Sequence, residues 1–359
     1  MRNRFLITIC LMFFMSLTFT SHAKKVKNII FIIGDGMGLN HMYAAMTHQA
    51  NSLHIEKSSY IGLAKTYSYD SYITDSAASG TALACGVKTR NGMLGMKPDS
   101  THVESILHIA SNEGLSTGLV VACSVTHATP AAFVAHQTNR EYDKEIAADY
   151  LNTDIDVFIG GGLKYFEKSI DDRNLLTELE DKNYQIAKTK EEMTAVSSGK
   201  LAALLYEDHP PKASERGDLL LEGTKKAIEL LSQNKKGFFL MIEGSQIDWA
   251  SHGNNAEYLL EEMIDLDKTI AYAFDYASKN KNTLVVITAD HETGGMIIAD
   301  GDFSKKEVEL KFTTTDHTGV IVPVYSYGAG AEKFTGIYEN IDFKSKFINL
   351  YRFKNKKRH

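Results

Sequence analysis

Residues 29–38 read IIFIIGDGMG, five consecutive apolar residues followed by an aspartate between glycines. A short apolar run of this kind predicts a strand that is buried on both faces. Five further runs of this type lie at residues 119–123, 156–159, 238–242, 284–289 and 321–327. Between them, apolar residues recur at helical spacing at 220–231 and 260–277. Strands that alternate with helices predict a layered α/β domain with a largely parallel sheet.

The composition places the chain among ordinary globular proteins. Of its 359 residues, 43% are hydrophobic and 23% charged, with only 5 Pro and 3 Cys. These values exclude intrinsic disorder, a collagen-like fibre and a disulfide scaffold. The formal net charge of −6 argues against a nucleic-acid partner, because contacts with phosphates need clustered Lys and Arg.

The first 23 residues have the pattern of a secretory signal peptide. Arg2 and Arg4 precede an apolar run at residues 5–20, and the run is followed by small residues around His22. A membrane anchor is the alternative, but the run is short for a spanning helix. We therefore expect export to the periplasm or the extracellular medium and no membrane association after cleavage. The mature protein at residues 24–359 would be a single catalytic domain.

Two features of the mature chain remain open at this point. Residues 164–216 are more polar and irregular than the rest, which is typical of a small cap or insertion over the sheet. Cys85 and Cys123 fit two interpretations, buried small hydrophobes or a disulfide formed after export.

Polar side chains follow the predicted strands at the points where the strands end. In an open α/β sheet these ends meet at one edge, where binding sites form. Imidazoles and carboxylates suit Zn²⁺, whereas carboxylates with a hydroxyl suit the harder ion Mg²⁺. Asp248 and His252 would also share one helical face. Each pair alone is weak evidence, but the whole set predicts a metal centre made from Asp35, Thr129, Glu243, Asp248, His252, Asp290, His291 and His317, with His127 nearby.

The glycines around Asp35 are similar to a dinucleotide-binding fingerprint, but two details of the sequence argue against that function. The third glycine of that fingerprint would fall at Leu39, and Asp35 would repel a pyrophosphate. The glycines fit better as a sharp turn around a carboxylate that binds a metal.

Residues 74–83 read TDSAASGTAL and place Ser76 at the start of a predicted helix, where an anionic phosphate is favoured. A serine needs a base or a metal to become a nucleophile, and no Gly-x-Ser-x-Gly elbow surrounds Ser76. Activation by a metal therefore fits better than a triad; a plain helix cap is the alternative. Arg140 could hold two phosphate oxygens through its guanidinium, or be a surface arginine.

Taken together, these segments resemble the alkaline phosphatase family. Those that carry the resemblance occur in the family's order, at residues 33–38, 75–79, 128–132, 243–248 with His252, 288–291 and 317–319. The resemblance implies a three-layer α/β/α sandwich with a large, mostly parallel central sheet. It also implies hydrolysis of phosphate monoesters through a phosphoserine on Ser76, with inorganic phosphate as a product inhibitor.

The resemblance further implies a role for each candidate residue. Arg140 would bind the substrate phosphate and Asp75 would help to orient it. Two Zn²⁺ ions and one Mg²⁺ would be held by three sets of ligands: Asp248, His252 and His317; Asp35, Asp290 and His291, with Ser76; and Asp35, Thr129 and Glu243. A homodimer is compatible with the family, although the chain is too short for a full crown-like dimer insertion.

Two residues depart from the pattern seen in some family members. His127 stands where they have Asp, which leaves the third ion either Mg²⁺ held through water or a metal that prefers nitrogen. Trp249 stands where they have Lys, which removes a cation near the phosphate and predicts altered phosphate release and inhibition.

Rival functions are a phosphodiesterase of the same superfamily and an exported metal- or phosphate-binding module. A sulfatase is disfavoured because its Cys/Ser-x-Pro-x-Arg signature is absent from the sequence.

Overall fold

The computed structural model describes residues 26–50 and 52–353, and a ten-stranded sheet runs through it in the order β14-β2-β13-β8-β1-β7-β3-β4-β6-β5. The strands are β1 (Asn28–Gly34), β2 (Tyr60–Lys65), β3 (Ser116–Ser124), β4 (Val157–Gly161), β5 (Tyr184–Ala187), β6 (Lys200–Leu204), β7 (Phe238–Gly244), β8 (Thr283–Thr288), β9 (Glu292–Thr293), β10 (Ile297–Asp302), β11 (Glu307–Lys311), β12 (His317–Thr318), β13 (Val322–Gly328) and β14 (Gly336–Glu339). β13 runs antiparallel to both of its neighbours, and the other pairs in the large sheet are parallel. β9 pairs with β12 and β10 with β11 in two small antiparallel sheets.

Helices cover both faces of the sheet. They are α1 (Leu39–His48), α2 (Ser76–Cys85), α3 (Ile106–Asn112), α4 (Ala128–Val134), α5 (Asp143–Asp149), α6 (Leu163–Glu167), α7 (Leu175–Asp181), α8 (Lys190–Ala195), α9 (Ala213–Arg216), α10 (Leu219–Leu231), α11 (Gln246–His252), α12 (Ala256–Lys279) and α13 (Asp342–Tyr351). α1, α10, α11 and α12 form one layer, and α2, α3, α4 and α13 form the other. The predicted three-layer sandwich is confirmed.

The centre of the sheet is apolar because its strands are buried on both faces. Every residue of β7 and β8 is buried, as is every residue of β1 after Asn28. The six predicted strands correspond to β1, β3, β4, β7, β8 and β13, and the two predicted helices to α10 and α12.

The register of the central strands brings their carboxyl ends level. Ile33 of β1 pairs with Glu243 of β7 on one side and with Thr288 of β8 on the other. The backbone N–H of Asp35 donates to the carbonyl of Gly244 at 3.2 Å, just beyond these ends. The segments that follow the three strands therefore begin side by side, and their polar residues share one edge of the sheet.

Residues 164–216 contain α7, α8 and α9, and also β5 and β6, which extend the large sheet at one end. The expected signal peptide at residues 1–23 lies outside the described residues. Within the described ranges, no helix combines the length and the apolar character needed to cross a membrane. Cys85 and Cys123 are both buried free thiols.

Candidate metal centre and phosphate site

Three groups of side chains at the carboxyl edge of the sheet have the composition of metal sites. Within each group, one ligand atom from every member lies within 4.8 Å of the others. We call them the Asp248 group (Asp248, His252 and His317), the Asp35 group (Asp35, Asp290 and His291) and the Cys123 group (Cys123, His127 and Glu243).

In the Asp248 group, a short helix and a distant strand bring two imidazoles to one carboxylate. Asp248 and His252 lie one turn apart on α11, and His317 belongs to β12. The Nε2 of His252 is 3.2 Å from Asp248 Oδ2 and that of His317 is 3.5 Å from Oδ1. The hydrogen bond to Asp248 raises the pKa of His252 to about 9. Asp248 is 5% exposed, so its carboxylate is largely shielded from water.

Backbone carbonyls orient both imidazoles of this group. His252 Nδ1 donates to the carbonyl of Thr315, and His317 Nδ1 donates to that of Thr74 at 2.9 Å. With Nδ1 donating to a carbonyl, Nε2 is the nitrogen that faces Asp248, and a metal ion can take the place of the proton on it. This is the arrangement that a histidine uses to bind a metal ion.

The Asp35 group is completely buried. His291 Nε2 lies 3.4 Å from Asp35 Oδ1 and 3.2 Å from Asp290 Oδ2. Asp290 Oδ1 accepts hydrogen bonds from the N–H of Gly36 at 3.1 Å and of His291 at 3.0 Å, which fix the carboxylate. Gly36 has a φ of +70°, and a Cβ there would lie 2.7 Å from the hydroxyl oxygen of Thr293. The turn after Asp35 therefore requires glycine at this position.

Thr293 links the Asp248 and Asp35 groups and was not anticipated from the sequence. Its hydroxyl donates to Asp248 Oδ1 and lies 3.2 Å from His291 Nδ1, from which it can accept a hydrogen bond. That contact turns the Nε2 of His291 towards Asp35 and Asp290. No sequence signal singled out this threonine, because its role appears only when β9 packs against α11.

Ser76 lies at the first position of α2, not at its cap. Asp75 is the cap residue, and its Oδ1 accepts from the N–H of Ala78 at 2.9 Å. Ser76 Oγ is 3.2 Å from His291 Nε2 and 2% exposed. The interpretation of Ser76 as a plain helix cap is therefore wrong: its hydroxyl points into the Asp35 group.

Arg140 faces the same space from the loop before α5. Its Nη1 donates to Asp75 Oδ2 at 3.2 Å and its Nη2 lies 3.3 Å from His127 Nε2. Asp75 Oδ2 also accepts from the N–H of Gly92 at 3.0 Å, so the carboxylate that holds Arg140 is itself fixed. Burial, and then the guanidinium of Arg140, lower the pKa of His127 to about 3.

Several buried polar atoms at this edge accept or donate no hydrogen bond within the described residues. Burial and the charges of Asp290, Asp248 and Glu243 raise the pKa of Asp35 well above its usual range. Burial likewise raises the pKa of Glu243 to about 7, although the hydroxyl of Ser245 donates to it. Buried polar atoms are costly unless they are paired, so this donor set fits bound cations. The unpaired atoms are both carboxylate oxygens of Asp35, Asp290 Oδ2, Glu243 Oε1, Thr129 Oγ1 and His127 Nδ1.

A cavity of about 370 Å³ opens beside Arg140. Trp249 lines it together with His127 and His209, and the rings of His209 and Trp249 meet edge to face with centroids 4.8 Å apart. The N–H of Ser124 donates to His209 Nδ1 at 3.0 Å, which holds this ring in place. His209 was another residue that sequence reasoning missed, since nothing in its neighbourhood suggested a site.

Comparisons with known proteins agree with this geometry. The family model of alkaline phosphatases matches residues 26–303. Alkaline phosphatase 4 of Bacillus subtilis is 34% identical, over 89% of this chain and 87% of its own. The alkaline phosphatase of Escherichia coli is 30% identical, over 89% and 84% respectively.

Among solved structures, the alkaline phosphatase from the Antarctic bacterium TAB5 is 39% identical and superimposes with a TM-score of 0.89, covering 93% of this chain and 100% of its own. A mutant of the TAB5 enzyme in which aspartate replaces a histidine has been solved with Mg bound in its M3 site. The family match and these relatives cover most of the chain, and the chain therefore belongs to the alkaline phosphatase family, enzymes that hydrolyse phosphate monoesters.

Proposed function

We propose that Ser76 is the nucleophile and that the reaction passes through a phosphoserine. The observation that carries this proposal is the 3.2 Å contact between Ser76 Oγ and His291 Nε2, which brings the hydroxyl to the edge of the Asp35 group. The oxygen attacks phosphorus, the bond to the alcohol breaks, and water later hydrolyses the phosphoserine. Ser76 thereby returns to its starting state with inorganic phosphate as the second product.

Three ions would complete the site. The Asp248 group would hold one Zn²⁺ and the Asp35 group the other. Asp35, Thr129 and Glu243 offer oxygen atoms for a third ion, for which the family's pattern implies Mg²⁺ and His127 implies a metal that also accepts nitrogen. When bound, such ions lower the pKa of a nearby hydroxyl and neutralise the charge that develops on the attacking and leaving oxygens. The unpaired oxygens of Asp35, Thr129 and Glu243 support a bound cation at this third position, whichever ion it is.

Arg140 binds the phosphate. Its planar guanidinium can donate to two phosphate oxygens, and charge-assisted bonds of this type are stronger than neutral ones. The Arg140 side chain is 21% exposed and Asp75 fixes it, so little rearrangement is needed. A monoester carries one more charged oxygen than a diester, which favours phosphomonoesterase over phosphodiesterase activity.

Further parts of the proposal concern the cell and the product. The N-terminal pattern supports export to the periplasm or the extracellular medium, with residues 24–359 as one mature domain. Inorganic phosphate would inhibit by occupying the place of the substrate at Arg140. A homodimer remains part of the proposal by analogy with the family alone.

Replacement of Ser76 by alanine tests the nucleophile. We expect Ser76→Ala to lose nearly all turnover of p-nitrophenyl phosphate while it keeps the metal content of the parent protein. Ser111→Ala is the matched control, since the Ser111 hydroxyl only donates to the carbonyl of Asp154, at 2.8 Å, away from the site. Near-normal turnover by Ser76→Ala would refute the assignment.

A further inference from the structure

Cys123 is a buried thiol that the proposed reaction does not use. It lies near the end of β3, next to the strand that carries Glu243. Its Sγ is 3.3 Å from Glu243 Oε2, and one ligand atom each from Cys123, His127 and Glu243 fall within 4.8 Å of one another. Sulfur, nitrogen and oxygen donors from two strands and the loop after β3 thus meet at one point.

The atoms around the thiol give a second, independent observation. Glu243 Oε1, Thr129 Oγ1 and His127 Nδ1 are buried and have no hydrogen-bond partner within the described residues. Glu243 and Thr129 are both fully buried. Buried lone pairs without a partner are costly, and one bound cation could accept several of them at once.

We propose that the third site of this chain contains sulfur, and that Cys123, His127 and Glu243 hold a thiophilic divalent ion such as Zn²⁺ in preference to Mg²⁺. Thiolate and imidazole ligands select Zn²⁺ or Co²⁺, whereas Mg²⁺ requires oxygen ligands. Around a tetrahedral ion with bonds of ~2.0–2.3 Å, ligand atoms lie ~3.3–3.8 Å apart. The 4.8 Å limit of the Cys123 group therefore leaves only small side-chain movements to be made.

Binding of the ion rearranges protons but involves no oxidation. The thiol proton leaves to solvent, and the sulfur donates an electron pair to the ion. Coordination through Nδ1 of His127 leaves a proton on Nε2, so Arg140 gives up its 3.3 Å contact with that nitrogen and keeps Asp75. One guanidinium N–H then becomes available to the phosphate.

Cobalt substitution tests this proposal on the full protein. The metal-free enzyme is titrated with Co²⁺ to three equivalents, and the near-ultraviolet absorption that arises from sulfur-to-cobalt charge transfer is recorded. We expect this band in the parent protein and in Cys85→Ser, the matched control. Cys85 is also a buried thiol, but it lies on α2 and its Sγ contacts the carbonyls of Val103 and Ala132. We expect no band in Cys123→Ser or Cys123→Ala, and excess Mg²⁺ should displace one Co²⁺ from these variants only.

The parent protein alone can overturn the proposal. If it binds a third Co²⁺ without a charge-transfer band, Cys123 is only a hydrogen-bond donor that positions Glu243. A band that persists in Cys123→Ser would also contradict the proposal. Because absorption and metal content are read without substrate, both outcomes are independent of whether Ser76 is the nucleophile.

Discussion

Replacement of Arg140 by methionine should weaken inhibition by inorganic phosphate by about a hundredfold. Methionine keeps the length of the side chain but removes every donor. A hydrogen bond to a charged group contributes about 1.5–3 kcal/mol, so two bonds to phosphate would contribute ~3–6 kcal/mol. Arg140 is 21% exposed, and water can partly replace it, so we take the lower end of that range. A loss of ~3 kcal/mol corresponds to roughly a hundredfold rise in the inhibition constant.

The assay is competition between inorganic phosphate and p-nitrophenyl phosphate at fixed pH and metal concentration. Arg173→Met is the control, because Arg173 pairs only with Glu178 on the surface in the described part of the chain. Thermal unfolding of both variants separates a loss of binding from a loss of folding. An inhibition constant that is the same in Arg140→Met and the parent protein would show that Arg140 does not hold the phosphate.

Three further predictions concern other residues. Trp249→Lys should tighten phosphate inhibition, because it adds a cation to the wall of the cavity beside Arg140; a weaker or unchanged inhibition constant would refute this reasoning. His127→Asp should shift the third ion towards Mg²⁺ by replacing nitrogen with oxygen, measured as metal content after dialysis against mixed Zn²⁺ and Mg²⁺. Burial lowers the pKa of His108 to about 4, so this imidazole binds a proton less readily in the folded protein than in the unfolded chain. The contribution of His108 to the free energy of unfolding is therefore fully present above pH 6.5 and is lost as the pH falls towards 4. In metal-free protein, the free energy of unfolding should therefore fall by about 2 kcal/mol between pH 7.5 and pH 5 because of His108. Urea titrations of His108→Gln should show a fall that is smaller by that amount. An equal pH dependence in the variant and the parent protein would contradict this.

The central strands could be predicted because a strand that is buried on both faces consists of consecutive apolar residues. β1, β7 and β8 are of this type. Among the strands that were missed, β2, β5 and β14 lie towards the ends of the large sheet and lack such a run. β2 and β14 expose several residues, and β5 is only four residues long. Their pairing depends on neighbours far away in the chain, which local patterns do not record.

The candidate ligands could be named from the sequence because each one follows a strand or falls in a segment shared with the family. Their roles stay predictions, although the structure brings them together. Thr293 and Cys123 could not be found in this way. Thr293 acts on Asp248, 45 positions away, and Cys123 contacts Glu243, 120 positions away. Only the packing of distant segments makes these contacts visible.

The most direct test of the central claim is to trap the covalent intermediate. Protein turning over a phosphate monoester is quenched in acid, digested, and analysed by mass spectrometry for a phosphorylated peptide. We expect phosphate on the peptide that contains Ser76, and on that residue within it. Active enzyme that carries phosphate on another residue, or on none at any stage of turnover, would contradict the account.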